Sequence, residues 1–177
     1  GYPTRCGSSL PHELFKGFQA SCVSKLLNAG AIFAGKTVTA EFAVSDPGET
    51  RNPRNLSYTP GGSSSGSAAS VAAGFCDIAI GTQTSGSVIR PAGYCGTIGY
   101  KPSFGRISRD GVLLFSNSMD HIGICAKDLN LLEKTLPLLV NSWSFWKPKI
   151  NRNISIGVPV GSYMNLSKPA ILHQFFN

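Results

Sequence analysis

Two glycine-rich segments that carry serines constrain this chain more than any other feature. The first, GGSSSGS, occupies residues 61–67, and the second, GTQTSGS, occupies residues 81–87. Glycines let a backbone approach a reacting group closely and point its N–H donors there. Ser63 and Ser87 lie 24 positions apart, one in each segment. Each is therefore a candidate for a nucleophilic serine or its partner.

The sequence around these segments predicts alternating helices and strands. Small residues at 68–73 predict a helix that ends at Gly74, and residues 78–80 predict a buried strand that leads into the second segment. Further predictions are a helix from residues 9–11 to Gly30, strands at 31–34, 97–100 and 154–158, a helix at 129–139 that Pro137 kinks or ends, and a long ordered loop at 45–62. This alternation without internal repeats predicts an α/β domain.

Composition and charge exclude several classes of protein. The 177 residues, 42% of them hydrophobic, suffice for one domain with a core, and no apolar run approaches the ~18–20 residues of a membrane span. The net charge of +7 comes from scattered basic residues, which does not predict nucleic acid as a partner. The five cysteines and three histidines lack paired spacings. We therefore expect free thiols in a reducing, cytoplasmic compartment, no metal and no other cofactor.

One phosphate-binding motif is matched in an unsuitable context. Residues 30–37, GAIFAGKT, fit the pattern G-x-x-x-x-G-K-[ST] of a nucleotide-binding P-loop. Such a loop follows a buried strand, opens a helix and turns its N–H groups toward phosphate. Here the motif follows a predicted helix, and its apolar interior is predicted to be buried. A P-loop nucleotide binder is therefore only a remote alternative.

The second serine segment offers the groups that acyl transfer requires. Beside the Ser87 hydroxyl it presents small side chains and the backbone N–H groups of Thr84, Ser85 and Gly86. Donors of this kind stabilise the oxyanion of a tetrahedral intermediate. A serine nucleophile also needs a base, but no motif recommends any of the histidines, and no Gly-x-Ser-x-Gly elbow is present. A lysine base with a second serine as proton relay fits better.

Residues 61–108 resemble the signature of the amidase signature family, the Ser–cis-Ser–Lys amidohydrolases. They read GGSSSGSAASVAAG and, further on, GTQTSGSVIRPAGYCGTIGYKPSFGRIS. The similarity extends to residues 28–43, 50–53 and 118–123 and so covers nearly the whole chain. The GTQT…SVIRPA form resembles the malonamidase-like branch. The resemblance implies part of an α/β/α fold with a mixed central sheet, and hydrolysis of small-molecule amides by water.

The resemblance also implies roles for individual residues. Ser87 would be the acylated nucleophile, and Ser63 the relay serine, joined to Gly62 by a cis peptide bond. Thr82 is expected to support the serine network. The oxyanion hole would be formed by the backbone amides of Thr84, Ser85 and Gly86. Lys36 and Glu41 resemble structural residues of the family, and Cys95 is expected to be a core thiol.

Three positions near the nucleophile leave questions open. Arg90 either binds a substrate carboxylate or braces the loop through an internal salt bridge. Gln83 stands where many family members have aspartate, and Ser85 stands where glycine or alanine is usual. We do not expect the Ser85 hydroxyl to inactivate the site.

The family's catalytic lysine has no counterpart among the 62 residues before Ser63. We therefore expect residues 1–177 to form an incomplete single amidase signature domain that lacks the N-terminal segment with the lysine and the C-terminal portion. The parent protein would be an amidase, whereas this chain alone is expected to be inactive. The alternative is a truncated, catalytically dead remnant. The sequence allows a homo-oligomer and does not identify the amide substrate.

Overall fold

The structure, a computed structural model, describes residues 2–15, 17, 19–44 and 48–144, and then residues 157, 161–162, 166, 168–170 and 173. The chain divides into two units, Gly1–Ser144 and Phe145–Asn177. All elements below belong to the first unit. Apart from Gly157, the predicted strand at 154–158 lies outside the described residues.

A three-stranded antiparallel sheet forms the centre of the first unit. Its strands are β1 (Ile78–Gln83), β2 (Ile98–Tyr100) and β3 (His121–Ala126), in the order β1-β3-β2. The helices are α1 (Ser21–Asn28), α2 (Ser65–Ala72), α3 (Ile89–Cys95) and α4 (Leu129–Leu139), with short 3-10 turns at His12–Phe15 and Glu41–Ala43.

Helices cover both faces of the sheet because successive side chains of β3 point to opposite faces. Ile122 and Ile124 pack in one core with residues of α1 and α4. Cys125, between two residues of the first face, packs in a second core with residues of α2 and α3. Gly123 also lies on the second face, where a Cβ would meet the Val88 side chain at 2.9 Å. The resulting three layers confirm the α/β class and the α/β/α arrangement.

Several elements confirm the sequence-based predictions. The small-residue helix is α2, and the predicted strands at 78–80 and 97–100 are β1 and β2. Pro137 lies in the last turn of α4, which ends two residues later. Residues 48–62 contain no helix or strand, in agreement with the predicted loop; residues 45–47 of that loop lie outside the described residues.

Other predictions were wrong. The helix predicted from residues 9–11 to Gly30 is instead a 3-10 turn and α1, because Ala20 has an extended ψ of 138° that interrupts the helix. Residues 31–34, predicted to be a buried strand, are irregular and exposed. No described strand pairs with them. Instead the Ala31 N–H donates to the Leu26 carbonyl at 3.0 Å, and the Phe33 ring packs against the ring of Tyr2.

The structure also excludes a P-loop at residues 30–37. No strand precedes the motif and no helix follows Thr37, since residues 31–39 are irregular. The apolar interior is exposed rather than buried as predicted, and Ile32 is 95% exposed. The segment therefore has neither the helix N-terminus nor the compact loop that holds a phosphate.

Candidate active site

The backbone around Ser63 is held from three directions. The peptide bond between Gly62 and Ser63 is cis, as the resemblance implied. The Ser63 carbonyl accepts hydrogen bonds from the Ala40 N–H and the Thr39 hydroxyl, each at 2.9 Å. The Ser64 N–H donates to the Ser87 carbonyl at 3.1 Å. This last bond brings the two predicted serine segments together.

Arg90 provides the third support of this segment. Its guanidinium donates to the Gly62 carbonyl from Nε at 3.1 Å and from Nη2 at 2.6 Å. Arg90 thus braces the loop through a carbonyl, and among the described residues it forms no salt bridge. The guanidinium is exposed to solvent.

Ser63 and Ser87 are both buried, and their hydroxyls lack partners among the described residues. Ser63 is 1% exposed, and its Oγ makes no hydrogen bond within the described part of the chain. Ser87 is 7% exposed, and its hydroxyl likewise makes none with the residues described. The Ser63 oxygen is itself buried, and a buried hydroxyl without a partner costs about 1–3 kcal/mol. Ser21 and Thr97 also have buried hydroxyls without partners among these residues, so what distinguishes Ser63 is the Ser64–Ser87 hydrogen bond that brings its segment to that of Ser87.

Two other serines, Ser64 and Ser67, form hydrogen bonds with the backbone of β1. Thr82 lies in β1 and directs both its N–H and its carbonyl at the Ser64 hydroxyl, at 3.2 and 3.1 Å. The Ser67 hydroxyl donates to the Ile80 carbonyl at 2.8 Å. Because a Cβ at position 81 would lie 2.6 Å from the Ser64 Oγ, this strand position requires Gly81. The backbone of Thr82, in the second serine segment, is thus linked to Ser64 of the first.

Gln83 holds both ends of the loop at residues 84–88, here called the nucleophile loop because it contains the predicted nucleophile Ser87. Its side chain is 1% exposed. The Oε1 atom accepts from the N–H groups of Val88 and Ile89 at 2.8 and 3.0 Å, and Nε2 donates to the Ser85 carbonyl at 3.0 Å. An aspartate at this position could accept but, when ionised, could not donate. Sequence reasoning noted the departure from aspartate but missed this bracing role, because the partners become evident only once the loop folds back.

The predicted oxyanion donors lie beside Ser87. Thr84, Ser85 and Gly86 continue the chain directly from β1. Within the described residues, none of their three N–H groups donates to a protein acceptor. These three N–H groups, adjacent in sequence to Ser87, are therefore uncommitted among the described residues.

Asp120 is a site residue that sequence reasoning missed. It is 4% exposed, and its Oδ1 accepts a hydrogen bond from the Thr84 hydroxyl at 2.5 Å. Burial by itself would raise the pKa of this carboxyl, but hydrogen bonds from Thr84, Ser116 and Phe115 and the charge of Arg109 outweigh it and lower the pKa. The carboxylate therefore stays ionised beside the loop. The similarity at residues 118–123 could have drawn attention to Asp120, although it gave no partner.

Two grooves flank this part of the molecule. One, of about 460 Å³, is lined by Ser64, Thr84, Asp120 and apolar residues that include Phe42 and Phe115. A larger apolar groove of about 820 Å³ follows residues 31–38, α1 and α2. Neither groove is lined by Ser63 or Ser87. No group of three or more potential metal ligands occurs in the described part of the chain. Among the same residues, no helix has the length and apolarity needed to cross a membrane.

Comparison with known proteins identifies the family. The Amidase family model matches residues 1–161. A glutamyl-tRNA(Gln) amidotransferase subunit from Salinibacter ruber is 49% identical over 129 residues, covering 70% of this chain and 25% of that protein. The protein of the same description from Prochlorococcus marinus is 38% identical over 175 residues, covering 95% and 35%.

Solved structures agree with this result. The native peptide amidase of Stenotrophomonas maltophilia matches with a TM-score of 0.73 and 36% identity, over 79% of this chain and 31% of that one. A glutamyl-tRNA(Gln) amidotransferase subunit from Thermotoga maritima matches with a TM-score of 0.73 and 38% identity, over 79% and 32%. The chain belongs to the amidase signature family. It spans about a quarter to a third of the length of the curated relatives that it matches.

Proposed function

We propose that the intact protein containing this chain hydrolyses carboxamide C–N bonds through a serine acyl-enzyme. The observation that carries the proposal is the buried pair Ser63 and Ser87, whose hydroxyls lack partners among the described residues, beside three uncommitted N–H groups. A nucleophile, a proton relay and oxyanion donors are the parts that amide hydrolysis by serine needs.

In this proposal Ser87 Oγ attacks the amide carbon while its proton passes to Ser63. The carbonyl π electrons move to oxygen, and the oxyanion is held by the N–H groups of Thr84, Ser85 and Gly86. When the C–N bond breaks, the nitrogen leaves as ammonia or an amine after receiving a proton through Ser63. Water then attacks the ester by the reverse proton route and releases the acid and Ser87.

A base must complete the relay, and we propose a lysine outside these 177 residues. Lys36 is the lysine nearest in sequence to Ser63, but its ammonium is exposed and donates to the Thr4 hydroxyl at 2.7 Å. The chain alone is accordingly proposed to be an incomplete domain without turnover. A clear turnover of amides by the 177-residue chain, abolished by Ser87→Ala, would contradict this part.

The proposal extends to the class of substrate, the cellular location and the oligomeric state. The Arg90 guanidinium uses two N–H groups on Gly62 and retains three for a substrate carboxylate, which would fit the acidic amides suggested by the malonamidase-like resemblance. A cytoplasmic location is supported by the five free cysteines. Self-association as a homo-oligomer remains a prediction.

The nucleophile can be tested by labelling the intact protein with phenylmethanesulfonyl fluoride and measuring its intact mass. We expect one adduct in the wild type, none in Ser87→Ala, and slower labelling in Ser63→Ala. Ser103→Ala is the matched control, because Ser103 is exposed and lies outside the serine segments. Labelling that survives Ser87→Ala would overturn the assignment of the nucleophile.

A further inference from the structure

Thr84 and Asp120 face one another just beyond the end of two paired strands. The last pair in the register of β1 and β3 is Gln83 with His121. Thr84 follows the first strand and Asp120 precedes the second, so the antiparallel register places them opposite each other one position further on. Directly opposed residues lie close enough for their side chains to interact, and here the hydroxyl donates to the carboxylate at 2.5 Å.

The Asp120 carboxylate is anchored on its other side as well. Its Oδ2 accepts from the N–H groups of Phe115 and Ser116, at 2.6 and 2.9 Å. Arg109 donates to the Asp120 carbonyl at 3.4 Å. A buried carboxylate with charge-assisted hydrogen bonds on both oxygens is a fixed point in the structure.

Thr84 is the residue through which the Asp120 carboxylate contacts the nucleophile loop. Among the described residues, the bond to Asp120 is the sole hydrogen bond that the side chain of Thr84 or Ser85 makes to the protein, and Gly86 has no side chain. Gln83 secures the loop from inside, through Ser85, Val88 and Ile89. Without the Thr84 bond, the start of the row of N–H donors would have no side-chain tie to the neighbouring strand.

We propose that Asp120 is a positioning residue for acyl transfer. It fixes the side chain of Thr84 and, through it, the orientation of the backbone N–H donors beside Ser87. The inference rests on the proposed function, because it assigns Asp120 to that same site. Oxyanion donors must be held in place before reaction, so a loosened loop lowers the rate of the chemical step more than it weakens binding.

The test is the rate of labelling of the intact protein by phenylmethanesulfonyl fluoride, separated into kinact and KI. Thr84→Val removes the hydroxyl and leaves the bonds from Phe115 and Ser116 to Asp120 in place. We expect kinact to fall about tenfold to a hundredfold, with KI within about twofold. Thr84→Ser keeps a hydroxyl and should restore kinact to within about threefold of the wild type.

Asp120→Asn provides the second arm of the test. We expect Thr84→Val combined with Asp120→Asn to be no slower than Asp120→Asn alone, because coupled residues give non-additive effects. Thr97→Val is the matched control and should label at the wild-type rate, since Thr97 lies at the far end of α3 and its buried hydroxyl has no partner among the described residues. Thermal unfolding of each variant separates a positioning effect from a loss of folded protein.

The outcomes are distinguishable. If the wild type is labelled at Ser87 and Thr84→Val is labelled equally fast, the positioning role of Asp120 is overturned and the proposed nucleophile stands. Additive effects in the double variant would also overturn it. If the wild type takes no label at Ser87, the proposed function fails and this inference fails with it.

Discussion

The nucleophile loop and the apolar segment at residues 31–38 show opposite ways of ordering an irregular stretch of chain. In the loop, the buried Gln83 side chain binds the backbone at three points, and the buried Asp120 carboxylate accepts a hydrogen bond from the Thr84 hydroxyl. The apolar segment has hydrophobic side chains, yet all of its residues are exposed. Hydrogen bonds to buried side chains hold the first, whereas no surface formed by the described residues buries the second.

The apolar segment is joined to the first serine segment, residues 61–67, at the N-terminus of α2. The Gly66 N–H and the Ser65 hydroxyl donate to the Val38 carbonyl at 2.9 and 3.4 Å, and the hydroxyls of Thr37 and Ser67 share a hydrogen bond at 3.0 Å. The end of the apolar segment is thus fixed by polar contacts of the serine segment. Substitutions in the serine segment and the nucleophile loop should therefore lower the free energy of unfolding much more than substitutions in the exposed part of the apolar segment.

The largest effect is expected where the first serine segment contacts the apolar segment. In Gly66→Ala the new Cβ would lie 2.5 Å from the Val38 nitrogen and 2.6 Å from its oxygen, and backbone cannot move aside cheaply. We expect a loss of about 3 kcal/mol or more in the free energy of unfolding, measured by urea denaturation. Gly93→Ala, also in a helix but with nothing within 4 Å, should instead gain up to about 1 kcal/mol. Equal effects of the two substitutions would contradict the close contact.

A somewhat smaller loss is expected from Gln83→Ala. It removes three hydrogen bonds and leaves the Val88 and Ile89 N–H groups without an acceptor. We expect about 2–3 kcal/mol in the same urea experiment. The control, Gln19→Ala, loses one exposed bond to Ser24 and should change stability by no more than about 0.5 kcal/mol. If both variants unfold at the same urea concentration, Gln83 does not brace the loop.

Acid should weaken the loop through Asp120. The pKa of this carboxyl is lower in the folded protein than its ordinary value of 3.8, so the folded state binds fewer protons. The resulting stabilisation is complete above that value and is lost as the pH falls through the lower pKa of the folded state. We expect Asp120→Asn to show a shallower fall of the unfolding temperature below about pH 4 than the wild type. A steeper fall in the variant would reverse the assigned direction.

The smallest effect is expected in the apolar segment. Ile32 is 95% exposed, so Ile32→Ser should change the free energy of unfolding of the chain by no more than about 0.5 kcal/mol. Ile124→Ser, at a fully buried position of β3, should cost about 3 kcal/mol or more. A large loss in Ile32→Ser would show that residues 31–38 are covered in solution.

The sequence predicted the parts of the fold that depend on local pattern. The small residues of α2 and the apolar start of β1 are such cases. It missed β3 because residues 121–126 are buried on both faces and show no alternation of polar and apolar side chains. It missed α3 because a proline and a glycine lie within its seven residues.

Within the candidate site, the features predicted from the sequence were those carried by the motifs of the amidase signature family. Ser63, Ser87 and the cis bond before Ser63 followed from recognised motifs. The pairing of Thr84 with Asp120 did not, because 36 residues separate the two and only strand pairing brings them together. The predicted strand at 31–34 was wrong because an apolar run reports a preference for burial and does not identify the surface that would bury it.

The contacts of Ser64 and Ser67 with β1 have a consequence for association between molecules. In the order β1-β3-β2 this strand lies at an edge of the sheet formed by the described residues, and open backbone groups at a sheet edge can pair with another strand. The two hydroxyls already occupy the outward groups of Thr82 and Ile80. The residues at the N-terminus of α2 therefore occupy backbone groups of β1 to which a further strand would otherwise pair.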